Sequence, residues 1–307
     1  MKYLDVPISF YEFKECIKKL VIHKAPGLNG VSPNAIKALN HENKIILFEI
    51  CSDFFNIQTE IDEWKIGNLK ILQKKGDLSN PNNWIGINLL DVVSKVVSIV
   101  ITSRLQSALE KFGTPLQFGS CPESGCPEGS FSLRMLLQMR KEHDLESWVM
   151  YADLIKAFDS IHHELRFRVL EKFDIPLSLI KVIRRLYHKF TIEICVGKSK
   201  AEIDYAAGVK QGYNLAPILF IIVIQFLAEL LEKKWRQDGI KRAEFCQSSN
   251  LYNKGGSLIR QSSNHSYLTK DSLFLFLFVD DGAFVFNNKK DLESGSLIAF
   301  TQMKRLG

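Results

Sequence analysis

The chain has 307 residues, of which 46% are hydrophobic and 24% charged, enough for one large globular domain or two subdomains. Six cysteines without a CxxC pair argue against a zinc site and predict reduced thiols in an intracellular protein, in the nucleus or cytoplasm. The net charge of +6 is compatible with a nucleic-acid partner but does not require one. The N-terminus shows no secretory signal, and polar residues interrupt the longest apolar run, 215–231, so a buried helix is predicted there rather than a membrane span.

The first third of the chain is predicted to be mainly helical. Ser9 and Glu12 form a capping box before a helical repeat of apolar residues, and Pro33 favours the start of a second helix. Asp91 precedes a strongly periodic apolar stretch that reaches Leu105 and is predicted to cap that helix. Two strands, 65–72 and 84–90, are predicted around a basic loop.

The rest of the chain alternates strands and helices. Helices are predicted over 130–141, 161–173, 177–189, 215–235 and 291–305. Strands are predicted over 148–153, 191–196, 201–205, 273–279 and 283–286. The polar, Ser- and Asn-rich segment 243–272 is predicted to be a loop or insertion. This order indicates an α+β fold, with an antiparallel sheet backed by helices on one face.

Two adjacent carboxylates lie between intensely apolar segments in FLFLFVDDGAFVF, and Asp280-Asp281-Gly282 is predicted to form the tip of a tight hairpin. Two ionised carboxylates side by side repel each other, and a divalent cation would relieve that repulsion. An ordinary Asp-Asp-Gly turn explains this segment equally well.

A third carboxylate, Asp153, ends the short apolar strand in YADLIKAFD. If that strand lies next to the Asp280-Asp281 hairpin, three carboxylates meet at one sheet edge. Nucleotidyl transfer by two Mg²⁺ ions about 3.5–4 Å apart needs such an arrangement. Taken alone, Asp153 is equally compatible with a helix-capping role after a strand.

Together these segments resemble a known family. YADLIKAFDSI, GVKQGYNLAPILF and FLFVDDGAFVF look like the palm of reverse transcriptases, particularly those of non-LTR (LINE-type) retrotransposons, with group II intron proteins as near relatives. KAPGLNGVSP and LQKKGDLSNPNNWIGINLLDVVSKVVSIVITSRL resemble the fingers of the same enzymes. The matches follow the family's order over roughly residues 20–290.

The resemblance implies roles for particular residues. Asp153, Asp280 and Asp281 match the metal-binding catalytic carboxylates, joined by the backbone carbonyl of Leu154. Phe158 matches the aromatic residue that excludes a ribose 2′-OH, although its pattern alone fits a core aromatic equally well. The remaining nucleotide-binding residues implied by the family are Lys74, Lys75, Gln211 and Gly212.

The resemblance also implies the architecture and the partners. Residues 1–145 would be a fingers-like region and residues 146–307 the palm of a right-hand polymerase, without the thumb that follows in the family. The cofactor would be two Mg²⁺ ions, with Mn²⁺ as a substitute, and the partners an RNA template, a DNA primer and dNTPs, with no membrane. The sequence does not indicate an oligomeric state. Basic residues that would suit a nucleic-acid surface are Lys181, Arg184, Arg185, Lys233, Lys234 and Arg236.

Several positions depart from the family pattern, including Asn214 and Ala216. Ile85 stands where the family usually has an Arg that grips the triphosphate, and Asn29 stands where it usually has Asp. The departure at position 85 leaves open a catalytically decayed, nucleic-acid-binding remnant as an alternative to an active RNA-directed DNA polymerase. An intron-maturase-type RNA-binding protein is a further alternative, which predicts a dedicated RNA-binding segment outside the polymerase domain.

Overall fold

The structure is a computed structural model. It describes residues 2–73, 76–80, 83–114, 116–119, 124–154, 157–196, 199–205, 207–210, 212–243, 245–248, 268–271 and 275–305. Its helices are α1 (Phe10–Lys19), α2 (Pro33–Ala38), α3 (His41–Phe55), α4 (Val92–Phe112), α5 (Cys126–Glu142), α6 (Ala157–Ser160), α7 (His163–Lys172), α8 (Leu177–Tyr187), α9 (Leu215–Gln237) and α10 (Lys289–Met303). Its strands are β1 (Ile66–Gln73), β2 (Trp84–Leu89), β3 (Trp148–Ala152), β4 (Thr191–Val196), β5 (Ser199–Asp204), β6 (Phe245–Ser248), β7 (Leu268–Asp271), β8 (Leu275–Phe278) and β9 (Asp281–Phe286).

The predicted capping residues begin their helices as expected. Ser9 accepts a hydrogen bond from the Glu12 amide at 3.1 Å, and Asp91 accepts one from the Ser94 amide at 2.8 Å. In place of the reciprocal half of the capping box, the Glu12 carboxylate receives two hydrogen bonds from the buried Arg104 of α4. That ion pair ties α1 to α4, because a buried guanidinium needs an anionic partner.

The chain divides into two compact units. The first consists mainly of Met1–Gly113 and Lys156–Val223. Its sheet has the order β2-β1-β4-β5, in which β1 runs antiparallel to β2 and parallel to β4. The two hairpins predicted from sequence therefore join into one mixed sheet. The α4 helix lies in the core of this unit, with Val96, Val97 and Ile101 fully buried.

The second unit consists of Thr114–Ile155 and Ile224–Arg305. Its sheet has the order β3-β9-β8 and is antiparallel throughout. Trp235 of α9 meets Phe284 and Phe286 edge-to-face, with ring centroids 5.6 and 5.3 Å apart, respectively. Ala283 and Val285 alternate with these two residues along β9 and therefore lie on the other face of the sheet, where they pack against Leu136 of α5.

Helices thus cover both faces of this sheet, which corrects the expectation that they back one face. The cover on both faces explains the apolar run of β8 and β9, since a strand buried on both faces does not show alternating apolar and polar residues. The predicted α+β class is confirmed. Of the segment predicted as a polar insertion, the described parts include β6 and β7, which pair as a short antiparallel ribbon.

Two helices, α4 and α9, are long and apolar enough to cross a bilayer. In the structure, however, 67% of the most apolar window of α4 and 72% of that of α9 is buried inside the protein. Such burial is typical of core helices in globular domains, which satisfy the same length and hydropathy criteria as membrane spans.

Candidate active site

Three carboxylates lie at one end of the β3-β9-β8 sheet. The β3–β9 ladder pairs Tyr151 with Ala283 and Ala152 with Gly282. Asp153 directly follows the last paired residue of β3, and Asp281 directly precedes Gly282 on β9. In an antiparallel ladder, this register makes Asp153 and Asp281 the next facing positions.

The turn between β8 and β9 differs from the predicted one by one residue. Phe278 pairs with Asp281, so the loop consists of Val279 and Asp280, and Asp281 is the first residue of β9 rather than part of the tip. Val279 has φ of 58°, in the left-handed region. Two-residue hairpin loops favour a positive φ at their first position, since this matches the twist of the strands.

The electrostatic environment links all three carboxylates. The pKa of Asp280 is raised above its usual value, chiefly because the side chain is partly buried. Repulsion by the charges of Asp281 and Asp153 raises it further. The three side chains are therefore close enough for their charges to interact.

The carboxylates line different cavities on the two sides of the hairpin. Asp153 and Asp281 line a groove of about 330 Å³, together with Tyr151, Phe278 and Cys126. Asp280 and Leu154 line a small, largely apolar cavity of about 20 Å³ on the side where α9 packs. Asp153 and Asp281 thus share one open face, while Asp280 lies at the turn between the two faces.

The donor set suits Mg²⁺, because carboxylate and carbonyl oxygens are the ligands that hard cations prefer. Within the part of the chain that the structure describes, no three His, Cys, Asp or Glu side chains form a closed metal-binding group. Mg²⁺ sites for phosphate substrates seldom have one, since water and the substrate phosphates supply much of the coordination. The residues present therefore fit a substrate-completed site.

Of the nucleotide-binding residues predicted from sequence, the structure describes Phe158 and Gly212, both in the first unit. Lys74, Lys75 and Gln211 lie outside the described residues. The ring of Phe158 is half-buried and stacks on Phe220, with centroids 4.7 Å apart. Part of the residue remains exposed, so Phe158 is not a fully buried core aromatic.

The backbone conformation and the close packing at position 212 require a glycine. Its φ is 119°, and a Cβ at this position would collide with the carbonyl oxygen of Asn88 on β2. The absent Cβ thus permits a close approach to the main chain of this protein, while contact of Gly212 with a nucleotide stays a prediction.

The departures at positions 85 and 29 have different environments. Ile85 is 38% exposed on β2, where it pairs with Leu72 of β1. The Asn29 amide donates a hydrogen bond to the Asp91 carboxylate, which caps α4. Burial raises the pKa of Asp91, and a neutral donor at position 29 avoids placing a second negative charge beside this buried carboxylate.

The six predicted basic residues are not equivalent. Arg185 donates to the Phe54 and Thr59 carbonyls and lies over the Phe54 ring, so its role is structural. Arg184 pairs with Glu164 at 2.5 Å and Arg236 with Glu232 at 3.0 Å. The other three, Lys181, Lys233 and Lys234, are exposed.

Sequence reasoning missed Gln117, which is buried and hydrogen-bonded to the hairpin turn. A polar residue in a Gly- and Pro-rich loop carries no signal of its own, because its acceptor role depends on a backbone amide 162 residues away. It also missed Arg166 and Lys210, two fully buried cations of the first unit.

The sequence profile of the family described as "Reverse transcriptase (RNA-dependent DNA polymerase)" matches residues 72–307, more than half of the chain. The chain belongs to the reverse transcriptase family. The predicted resemblance is therefore confirmed, including its non-LTR character, since several retrotransposon proteins are similar to the matched region.

Among these relatives, the Pol polyprotein of the type-1 retrotransposable element R2 of Popillia japonica is 27% identical over 72% of this chain and 30% of its own length. The RNA-directed DNA polymerase from the mobile element jockey of Drosophila melanogaster is 25% identical over 70% of this chain and 24% of its own. The transposon TX1 149 kDa protein of Xenopus laevis is 25% identical over 75% of this chain and 18% of its own length. The chain thus spans less than a third of the length of these relatives.

A solved structure of an apo telomerase from Candida tropicalis, truncated from its C-terminal domain, has a similar fold. The TM-score is 0.53 at 12% identity, and the match covers 84% of this chain and 52% of the telomerase chain. The predicted polymerase fingers-and-palm class is confirmed at the level of the fold.

Proposed function

We propose that this reverse transcriptase domain is an RNA-directed DNA polymerase, which transfers nucleotides from dNTPs to the 3′-OH of a DNA primer on an RNA template. The observation that carries the proposal is the ladder register of Asp153 against Asp281, with the charges of both raising the pKa of Asp280. Carboxylates that repel one another at an accessible sheet edge are stabilised by divalent cations. Family membership agrees with this chemistry.

In this proposal, Asp153, Asp280 and Asp281, together with the Leu154 carbonyl, hold two Mg²⁺ ions, and Mn²⁺ can replace them. Bound ions would supply activation of the primer 3′ oxygen and neutralisation of the leaving pyrophosphate. The groove lined by Asp153 and Asp281 is open and has Tyr151 and Phe278 as apolar walls, and this would suit the sugar and base of a primer terminus.

The incoming dNTP would be held by the residues that the family resemblance implies. Phe158, which is only half-buried, would exclude a ribose 2′-OH with its ring. Gln211 and Gly212 would lie against the nucleotide, and Lys74 and Lys75 would bind the triphosphate. The assignment of residues 1–145 to fingers and 146–307 to palm remains a prediction, as do the template, the primer and a location in the nucleus or cytoplasm.

The test is primer extension by the whole chain with Mg²⁺, an RNA template and dNTPs. Asp280→Asn should lower the incorporation rate by roughly a hundredfold or more, because it removes a carboxylate ligand of the ions that would neutralise the charge of the transition state. The unfolding midpoint should stay within a few degrees of the wild-type value. Asp238→Asn, an exposed carboxylate of the same unit, is the matched control and should retain full activity. Incorporation that survives Asp280→Asn would contradict the proposal.

A nucleic-acid-binding remnant is the second candidate, and the exposed Ile85 favours it. An Arg at this position would present a planar fork to a triphosphate, which Ile cannot do. If the chain is a weakened polymerase, Ile85→Arg should lower the KM for dNTP by roughly tenfold, as expected for one charged hydrogen-bonding group. An inactive chain that binds primer-template and gains no incorporation from Ile85→Arg would support the remnant.

A further inference from the structure

The hairpin that carries Asp280 and Asp281 contains an unfavourable backbone conformation. Val279 has φ of 58°, and a β-branched residue rarely adopts the left-handed region, because its side chain crowds the neighbouring peptide groups. A strained residue of this kind persists only where the surrounding structure determines its conformation. The contacts of Val279 therefore indicate what holds the turn.

Gln117 supplies the main polar contact. Its Oε1 accepts a hydrogen bond from the Val279 amide at 3.1 Å and another from the Gly119 amide at 2.9 Å. One side-chain oxygen thus joins the hairpin turn to the loop before α5. The Val279 amide would otherwise lose a partner at the point where its backbone is strained.

The segment around Gln117 is itself fixed to β8. The Phe118 amide donates to the Leu277 carbonyl at 2.8 Å, and the Leu277 amide donates to the Leu116 carbonyl at 2.9 Å. Gly119 lies so close to Val279 that a Cβ on residue 119 would come within 2.5 Å of the Val279 amide nitrogen. Backbone pairing and close packing therefore hold Gln117 in register with the turn.

The burial of Gln117 carries a free-energy cost. The residue is 5% exposed, and its Nε2 has no hydrogen-bond partner among the described residues. A buried amide with an unsatisfied donor destabilises a fold, so an apolar residue would suit this position better if packing were the only requirement. Local rules are broken in this way mainly at functional sites.

We propose that Gln117 is a positioning residue for the reaction: by holding Val279 in the left-handed conformation, it fixes Asp280 and Asp281 relative to Asp153. The inference rests on the proposed polymerase function, because it explains how the carboxylates proposed to be catalytic are held in place. Gln117 itself need not contact the substrate, as it acts through the backbone of the turn.

The test uses Gln117→Leu, which keeps the volume and removes the acceptor, and Val279→Gly, which adopts a positive φ without strain. Gln117→Leu should lower kcat for dNTP incorporation roughly 10- to 100-fold, as misplacement of reacting groups does, with little change in the KM for primer-template. In the Gln117→Leu/Val279→Gly double variant, kcat should recover most of that loss, because glycine does not need to be held. Gln138→Leu, an exposed glutamine of α5, is the matched control and should behave as wild type.

A second measurement does not depend on catalysis. Amide hydrogen exchange of the peptide that covers 275–286 should accelerate at least about tenfold in Gln117→Leu, while peptides from α10 stay unchanged. Unchanged exchange in this peptide, or a kcat loss that Val279→Gly does not relieve, would overturn the positioning role. A wild-type chain without Asp280-dependent incorporation would refute the polymerase proposal, and the exchange experiment would still decide the role of Gln117.

Discussion

At the scale of single residues, two of the positions with a positive φ lie in segments that carry the proposed chemistry. Val279 has a positive φ beside the carboxylates, and Gly212 has one in the loop proposed to face the nucleotide. The positive φ is tolerated for different reasons at the two positions. Glycine adopts the conformation at no steric cost, whereas valine depends on Gln117 and on close packing.

Gly212→Ala should lower the free energy of unfolding by about 2–4 kcal/mol, since strain at positive φ adds to a collision with the Asn88 carbonyl. Gly30→Ala is the matched control. Gly30 also has a positive φ, of 71°, but nothing lies within 4 Å of the position of its Cβ, so only the strain of about 1 kcal/mol should appear. Urea denaturation of the two variants measures the difference. Equal losses would show that the approach to Asn88 is not tight.

At the scale of secondary-structure elements, α4 illustrates how a cap can depend on a distant loop. Asp91 begins the helix by accepting from the Ser94 amide, as its position in the sequence predicts. Its other oxygen accepts from Asn29, in a turn 62 residues earlier. The departure from the family pattern at position 29 thus has a structural explanation, because the neutral Asn29 amide donates a hydrogen bond to the buried Asp91 carboxylate.

Asn29→Asp should destabilise the protein by about 1–3 kcal/mol at pH 7, because it replaces a hydrogen bond by two facing carboxylates. Repulsion would raise the folded-state pKa of the pair above its unfolded value. The penalty is therefore present above that folded pKa and is relieved as the pH falls below it. Urea denaturation at pH 7 and pH 4.5 should give a smaller loss at the lower pH. Asn43→Asp, at an exposed position in the first turn of α3, should show no loss of stability, because a carboxylate near a helix N-terminus is favourable.

At the scale of the whole molecule, an excess of six positive charges suits a polyanionic partner. The basic side chains are not uniformly available for it. Arg184, Arg185 and Arg236 have intramolecular partners, while Lys181, Lys233 and Lys234 are exposed. Nucleic-acid affinity should therefore depend more on the exposed lysines than on the arginines.

The affinity for a labelled primer-template, measured by fluorescence anisotropy, should fall steeply as the salt concentration rises. A plot of the logarithm of the association constant against the logarithm of the salt concentration should have a slope of roughly −3 or steeper. Lys234→Gln should reduce the slope by about one, the contribution of one phosphate contact. Arg236→Gln should change it less, because Arg236 already pairs with Glu232. A salt-independent affinity would exclude a backbone-phosphate interface.

The sequence alone determined the order of the elements apart from α6, β6 and β7, and it determined the capping residues of α1 and α4, the family and the candidate carboxylates. These features depend on local patterns: hydrophobic periodicity, capping chemistry and short motifs in a fixed order. Only the tertiary structure decided that the β1–β2 and β4–β5 hairpins share one sheet and that the hairpin turn falls on Val279-Asp280. It also decided that Gln117, Asn29 and Arg104 serve partners 62 to 162 residues away. Such contacts depend on how strands pair and helices pack, so the residues on either side carry no local sign of them.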